Sequence, residues 1–176
     1  MRRKNKTSDM MKEYIAESLL ILMGTGSFEE IKINEITAKA GVNRSTYYRN
    51  FQSKNDIVVF YFKNIMYELL EVLSEEDNSL ETYLFKMFSH FYNYKKELLL
   101  IYKQGLSNLI LESFHEIFSN ASRSSSLTFE ERCKKYYHTG GIYNTLLLWF
   151  ADEMCTPPKR MSEITFSHLP RGFALT

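Results

Sequence analysis

The chain has 176 residues, 44% hydrophobic and 24% charged, with a net charge of +1. This is the composition of an ordinary soluble globular chain with a sizeable core in one or two small domains. Two cysteines, Cys133 and Cys155, are too few for a disulfide scaffold, and no apolar run reaches the length of a membrane span or a signal-peptide core, so a reduced, cytoplasmic protein is expected.

Prolines occur only at Pro157, Pro158 and Pro170, which leaves room for long helices before them. Met11, Ile15, Leu19 and Leu22 recur at spacings of four, four and three, the apolar face of a helix over 8–23. Gly24 and Gly26 stop it. Phe28 and Ile31 to Ile33 lead into a short helix over 35–40, with Asn34 as its expected N-cap. Gly41 then supplies a tight turn that needs positive φ. Asn43 is placed to cap a second short helix over 44–50. Ser53 with Asp56 three residues on is an acidic variant of the capping box. It opens a long helix in which Ile57, Tyr61, Ile65, Leu69 and Val72 form a stripe about 30 Å long.

A polar break covers 74–79, and Asn78 with Glu81 reads as a capping pair. Aromatic-rich helical sequence follows over 80–94, with a shorter piece over 95–102. Gly105 is a break, a helix follows over 107–119, and the serine-rich stretch 119–126 reads as a loop. Thr128 with Glu131 caps a long helix reaching about 154. Pro157 and Pro158 can start a last short helix. No strand alternation of convincing length and no internal repeat is present, so an all-α fold is expected.

The segment 33–56 carries most of the functional information. Short helix, glycine turn, second short helix and capped third helix are the order of a helix-turn-helix, a device for placing a helix in the DNA major groove. Ile36, Ala40, Val42 and Phe51 are spaced to pack these helices together. The other side of the second short helix carries Arg44, Ser45, Thr46, Tyr48, Arg49 and Asn50. All are hydrogen-bond donors and none is acidic, which suits phosphates and base edges. Lys54, in the first turn of the long helix, is expected to clamp a phosphate together with backbone N–H groups. Arg2, Arg3, Lys4 and Lys6 form a basic arm suited to the backbone or minor groove. Charge follows the same division: residues 1–56 hold ten Lys/Arg against seven Asp/Glu, and the remainder twelve against fourteen.

The run KINEITAKAGVNRSTYYRNFQSKNDIV resembles the signature of the TetR family of bacterial transcriptional regulators. The matching positions are Ile36-Thr37, Ala40-Gly41-Val42, Tyr48-Arg49-Asn50-Phe51 and Ser53-Lys54-Asn55-Asp56-Ile57. The resemblance covers about residues 8–60. It implies contact with double-stranded DNA through Arg44, Thr46, Tyr48, Asn50 and Lys54. Lys32 stands where the family often has Thr, turning that phosphate contact into an ionic one. Ser45 replaces a common Gly, and Thr37 a common Ala. The implied architecture is an N-terminal three-helix DNA-binding head over 1–52 and a C-terminal helical regulatory and dimerisation bundle over 53–176.

The body is less diagnostic. Residues 140–154 are apolar almost all round, and such a helix is buried on every side. One face can pack on its own subunit and the other on a partner, or the whole helix can lie in a monomer's core. The resemblance favours a homodimer, with Ile142, Tyr143, Leu146, Trp149 and Phe150 in the interface. It also implies a small-molecule pocket in many members. A pocket here would be lined by Met66, Phe85, Phe88, Phe91, Tyr92 and Tyr102 and would take an apolar or aromatic ligand. An aromatic stripe at helical spacing is more often plain core. His90, His115, His138 and His168 lack metal-ligand spacing, and Gly24-Thr25-Gly26 lacks the strand and third glycine of a phosphate loop, so no metal, cofactor or enzymatic activity is expected. The expected function is a DNA-binding regulator, a repressor released from a near-palindrome by a ligand or partner. The alternative is a helical interaction module or partner-controlled activator without a pocket of its own.

Overall fold

Local signals set most of the helix boundaries. The computed structural model describes residues 6–74, 79–121 and 128–169. All regular structure among them is helical: α1 (Lys6–Met23), α2 (Ile33–Lys39), α3 (Arg44–Asn50), α4 (Lys54–Ser74), α5 (Leu80–Asn93), α6 (Lys95–Lys103), α7 (Ser107–Ala121), α8 (Phe129–Ala151) and α9 (Pro158–His168).

Three of these helices end in the same hydrogen-bonded signature, in which the residue three beyond the last helical one reaches back five residues. After α2, Val42 N–H donates to the Thr37 carbonyl at 3.0 Å, and after α6, Leu106 N–H donates to Ile101 at 3.2 Å. Gly41 and Gly105 supply the left-handed residue, at φ +65° and +75°. After α8, Met154 N–H donates to Trp149 at 2.8 Å, but the left-handed position holds Glu153, and Glu153 and Met154 both sit at φ 50°. The helix therefore stops at Ala151 rather than running on to 154. Side-chain strain in that region costs about 1–2 kcal/mol per residue. Glu153→Gly is expected to stabilise the fold by about 1 kcal/mol, read as a melting temperature about 2–4 °C higher. The ion pair of Glu153 with Lys103, with both side chains more than half exposed, offsets little of this.

Two caps differ from expectation. The start of α2 is Lys32, not Asn34: its backbone N–H donates to the Glu35 carboxylate at 2.8 Å, so the acid three residues into the helix does the capping. Asn78 lies outside the described residues, and α5 is capped by Ser79, whose hydroxyl accepts from Thr82 N–H at 3.3 Å. Asn43 holds the N-cap position of α3, but its side chain makes no cap bond. The Thr128–Glu131 box is formed, with Thr128 N–H on the Glu131 carboxylate at 2.7 Å. The helix expected to end at 119 runs to Ala121.

Ile57, Val58, Phe62, Ile65, Met66 and Leu69 of α4 are buried, each contributing about 1.5–3 kcal/mol relative to exposure. Val72 of the expected stripe is instead exposed. α4 packs on α1 near its start and on α5 and α7 further along. One continuous apolar core runs from Ile15, Leu19 and Met23 through α4 to Trp149 and Phe150. In its middle Phe62 stacks on Phe91 at 6.1 Å and meets Phe114 edge-on at 5.4 Å.

Candidate nucleic-acid interface

α3 is held by one side and presented by the other. Its inward side carries Tyr47, which is fully buried, with Phe51 following the helix. Their rings lie 6.2 Å apart, and Phe51 meets Phe60 of α4 edge-on at 5.7 Å. Ile36 is buried beneath, and Ala40 and Val42 pack against it half-buried. Tyr47 is the largest of these anchors, and the sequence reading passed over it; its place four residues before Phe51 was the available signal. Its hydroxyl is buried without a hydrogen-bond partner among the described residues.

Arg44, Ser45, Tyr48 and Arg49 are exposed on the outward side, with Thr46 half-buried. Arg44 donates to the Tyr48 hydroxyl at 3.1 Å and lies 5.5 Å from the centre of its ring. That contact restricts both side chains before any ligand arrives. Lys32 is exposed at the start of α2. An open groove of about 500 Å³ joins it to Arg44, Asn34, Ser53 and Lys54, between the first turns of α2, α3 and α4. Ser53 and Asp56 fix the start of α4: Asp56 accepts from the Gln52 and Ser53 amides at 2.8 and 3.0 Å and from the Ser53 hydroxyl at 2.8 Å. Burial pushes the Asp56 carboxyl up, but these bonds outweigh it and hold it below the ordinary carboxylate value.

Two residues expected on this surface are engaged elsewhere. The Lys54 ammonium donates to the carbonyls of Phe28 at 2.5 Å, Glu29 at 3.0 Å and Ile31 at 2.9 Å. An ammonium has three donors, and all three are taken here, so Lys54 ties the start of α4 to the α1–α2 connection. Asn50 donates to the Thr46 carbonyl at 2.8 Å and accepts from the Ser8 hydroxyl at 3.0 Å. It joins α3 to α1. Arg3 and Lys4 lie outside the described residues.

The expected body sites are not assembled as the sequence suggested. Met66, Phe88 and Phe91 are buried in the core, Tyr102 is half-buried, and Phe85 and Tyr92 are 44% and 39% exposed. Three of them pack on rings of α8: Phe88 edge-on to Trp149 at 5.4 Å, Tyr92 stacked on Trp149 at 6.0 Å, Tyr102 against Phe150 at 6.0 Å. They serve core and surface in this arrangement. Of the five expected interface residues, Leu146, Trp149 and Phe150 are fully buried within this chain. Ile142 is half-buried, as is Tyr143, whose hydroxyl donates to the Ser107 carbonyl at 3.2 Å. These five form the inward face of α8. At 3.6 residues per turn, Tyr137, Gly141, Asn144 and Leu148 lie on the opposite side, and all four are exposed, Tyr137 at 71% and Leu148 at 73%. Among the described residues no three His, Cys, Asp or Glu side chains gather as a metal site, and no helix is long and apolar enough to cross a membrane.

Residues 16–59 match the model of the bacterial regulatory proteins, tetR family. No curated protein matches the chain in sequence. Among solved structures, the dihydroxyacetone kinase operon activator DhaS is similar over 89% of this chain and 92% of its own, with a TM-score of 0.55 and 15% identity. A transcriptional regulator from Rhodococcus sp. Rha1 is similar over 88% of this chain and 91% of its own, with a TM-score of 0.53 and 16% identity. At such identity the likeness is one of fold.

Proposed function

We propose, from the premise that this chain is a DNA-binding transcriptional regulator carrying the head of the bacterial tetR family, and not an enzyme, that it acts in the cytoplasm as a homodimer on a near-palindromic operator and represses by occupying it. The observation that carries the reading is the outward face of α3, where Arg44, Ser45, Tyr48 and Arg49 stand clear with no acid among them. Arg44, stiffened against Tyr48, is assigned to base edges, where Arg pairs bidentately with guanine. Arg49, Ser45, Thr46 and Lys32 are assigned mainly to phosphates. Residues 1–52 form the reading head and 53–176 the regulatory body.

The dimer interface is proposed on the outward face of α8. Leu148 and Tyr137 are large apolar groups in water there, and a Cβ built on Gly140 or Gly141 would meet nothing within 4 Å. A second helix can therefore approach the glycines closely, and a two-fold axis would place the same stripe on both subunits. Two copies of α3 about 34–36 Å apart then address successive major grooves.

Selection from random duplex DNA tests the reading at low salt and without added ligand. Enrichment of a near-palindrome is the expected result, and a pool with no enriched sequence sinks the proposal. On the selected site, Arg44→Ala is expected to lower affinity about tenfold and to relax preference at one base pair per half-site, in line with a bidentate contact. Equal loss on every sequence would reassign Arg44 to phosphate.

A second reading, an activator controlled by a partner protein, has one observation in its favour. The six aromatic and methionine side chains expected around a ligand are committed to packing or face outward. A reporter carrying the selected site separates the two: expression that rises when the regulator is removed supports repression, and expression that falls supports activation. Under either reading the α4 helix, running from head to body, is the lever through which a ligand or partner that prefers one state of the body shifts the heads.

A further inference from the structure

We infer that Gln104 is a positioning residue for DNA binding: it fixes the angle of the head on the body, and so the separation of the two α3 helices in the dimer. The inference rests on the homodimer reading above.

Gln104 lies in the body, one residue beyond α6, yet its amide bonds only to the head. Nε2 donates to the carbonyls of Met23 at 3.2 Å and Gly26 at 3.0 Å, and Oε1 accepts from Phe28 N–H at 3.0 Å. Met23 closes α1, whose last carbonyls have no helical donor of their own. A residue about eighty positions away thus completes the end of α1 and orders the connection to α2.

The same connection is held from the other side. Phe28 gives its N–H to Gln104 and its carbonyl to Lys54, while its ring is buried in the core and lies 4.7 Å from the Lys54 ammonium. Lys54 opens α4 a few residues after α3 ends. The bonded route from Gln104 therefore runs through the Phe28 backbone to Lys54 at the start of α4, just after α3.

α6 is itself firmly anchored. Gly105 at φ +75° turns the chain, and Ile101 and Leu106, which close the helix end, are buried. Lys95 donates to the Met154 carbonyl at 3.2 Å, and Lys103 pairs with Glu153 at 2.7 Å. Both reach the strained turn that ends α8, the helix carrying the proposed dimer face. α6 is thus a strut from the dimer side of the body to the head.

α4 is the covalent link between head and body, and one helix resists stretching better than it resists bending or rotation about its axis. A second attachment away from that axis removes the remaining freedom. A dimer whose heads are free to rotate tolerates half-sites at several separations, and one whose heads are fixed does not, because bivalent engagement depends on geometry.

The experiment compares wild type with Gln104→Met, which keeps the side-chain length and deletes all three bonds. The probe is a set of duplexes that carry the selected half-sites at the preferred separation and at separations one and two base pairs longer and shorter. Wild type is expected to favour one separation by about tenfold, and Q104M to bind the set within about threefold while remaining dimeric and helical. A folded, dimeric Q104M that keeps the wild-type preference overturns the inference, as does loss of affinity by the same factor at every separation. Gln104→Glu keeps the acceptor for Phe28 and loses the two donated bonds. It replaces Q104M in the same comparison, with the same overturning results, if Q104M does not fold. A dimeric wild type with no preferred separation overturns the inference and leaves the homodimer reading standing, whereas a monomeric wild type removes both. Preference retained by the variant removes the inference alone.

Discussion

Leu148→Glu is expected to make the protein monomeric at micromolar concentration and to weaken binding to the selected near-palindrome about a hundredfold, because bivalent engagement is lost. Leu148 is 73% exposed, so the substitution adds no charge to the core of the single chain and leaves its packing untouched. In the proposed dimer the same carboxylate is buried against its symmetry copy, and an unpaired buried charge costs about 3–5 kcal/mol. Sedimentation reads the assembly, circular dichroism the fold, and titration of full and half operators the binding. The half operator should be bound equally by wild type and variant. A dimeric, tightly binding L148E would place the interface elsewhere on the molecule. The matched control is Leu146→Glu, on the inward face where Leu146 is fully buried, which should unfold the chain instead of dissociating it.

Lys54→Met is expected to lower stability by about 3 kcal/mol, since charged hydrogen bonds contribute about 1.5–3 kcal/mol each and the freed carbonyls regain water in part. For a chain of this size that is a melting temperature lower by roughly 10 °C. The salt dependence of DNA binding should stay unchanged at temperatures where the variant is folded. A lysine on a phosphate behaves in the opposite manner: its removal leaves the melting temperature near wild type and lowers the salt slope by about one. Thermal unfolding and a salt titration on the same variant therefore discriminate a tie between α4 and the α1–α2 connection from a phosphate clamp. The geometry favours the tie, with three carbonyls within 3.0 Å of one ammonium.

Most of the helical architecture was legible because its signals are local. Gly41 sits where a left-handed residue ends α2, Thr128 and Glu131 are three residues apart at the start of α8, and Ser53 with Asp56 opens α4. Each device works within a single turn of backbone, so a window of a few residues contains the whole cause. At two helix starts a different residue from the one expected holds the cap. Glu35 reached back to Lys32, and Ser79 bound Thr82.

The candidate site divided along the same line. That α3 would present an acid-free polar face followed from its seven residues. Which of its polar groups stay available did not, because Asn50 is held by Ser8, forty-two positions earlier. Lys54 reads from sequence as a cation at a helix start, and its engagement here depends on carbonyls twenty-three to twenty-six positions away. Gln104 carries no sequence signal at all, being one polar residue after a helix.

Sequence alone determined the helix order, the turn that presents α3 and the donor-rich character of its outer face, since helical period, glycine tolerance and capping chemistry are properties of short segments. Tertiary structure decided which face of α8 is inside. A helix apolar all round has no preferred side until its neighbours arrive, and here rings of α5 and α6 meet Trp149 and Phe150 while Leu148 stays in water. It also decided which polar side chains remain free, because a donor's partner is chosen by whatever acceptor folding brings within 3 Å.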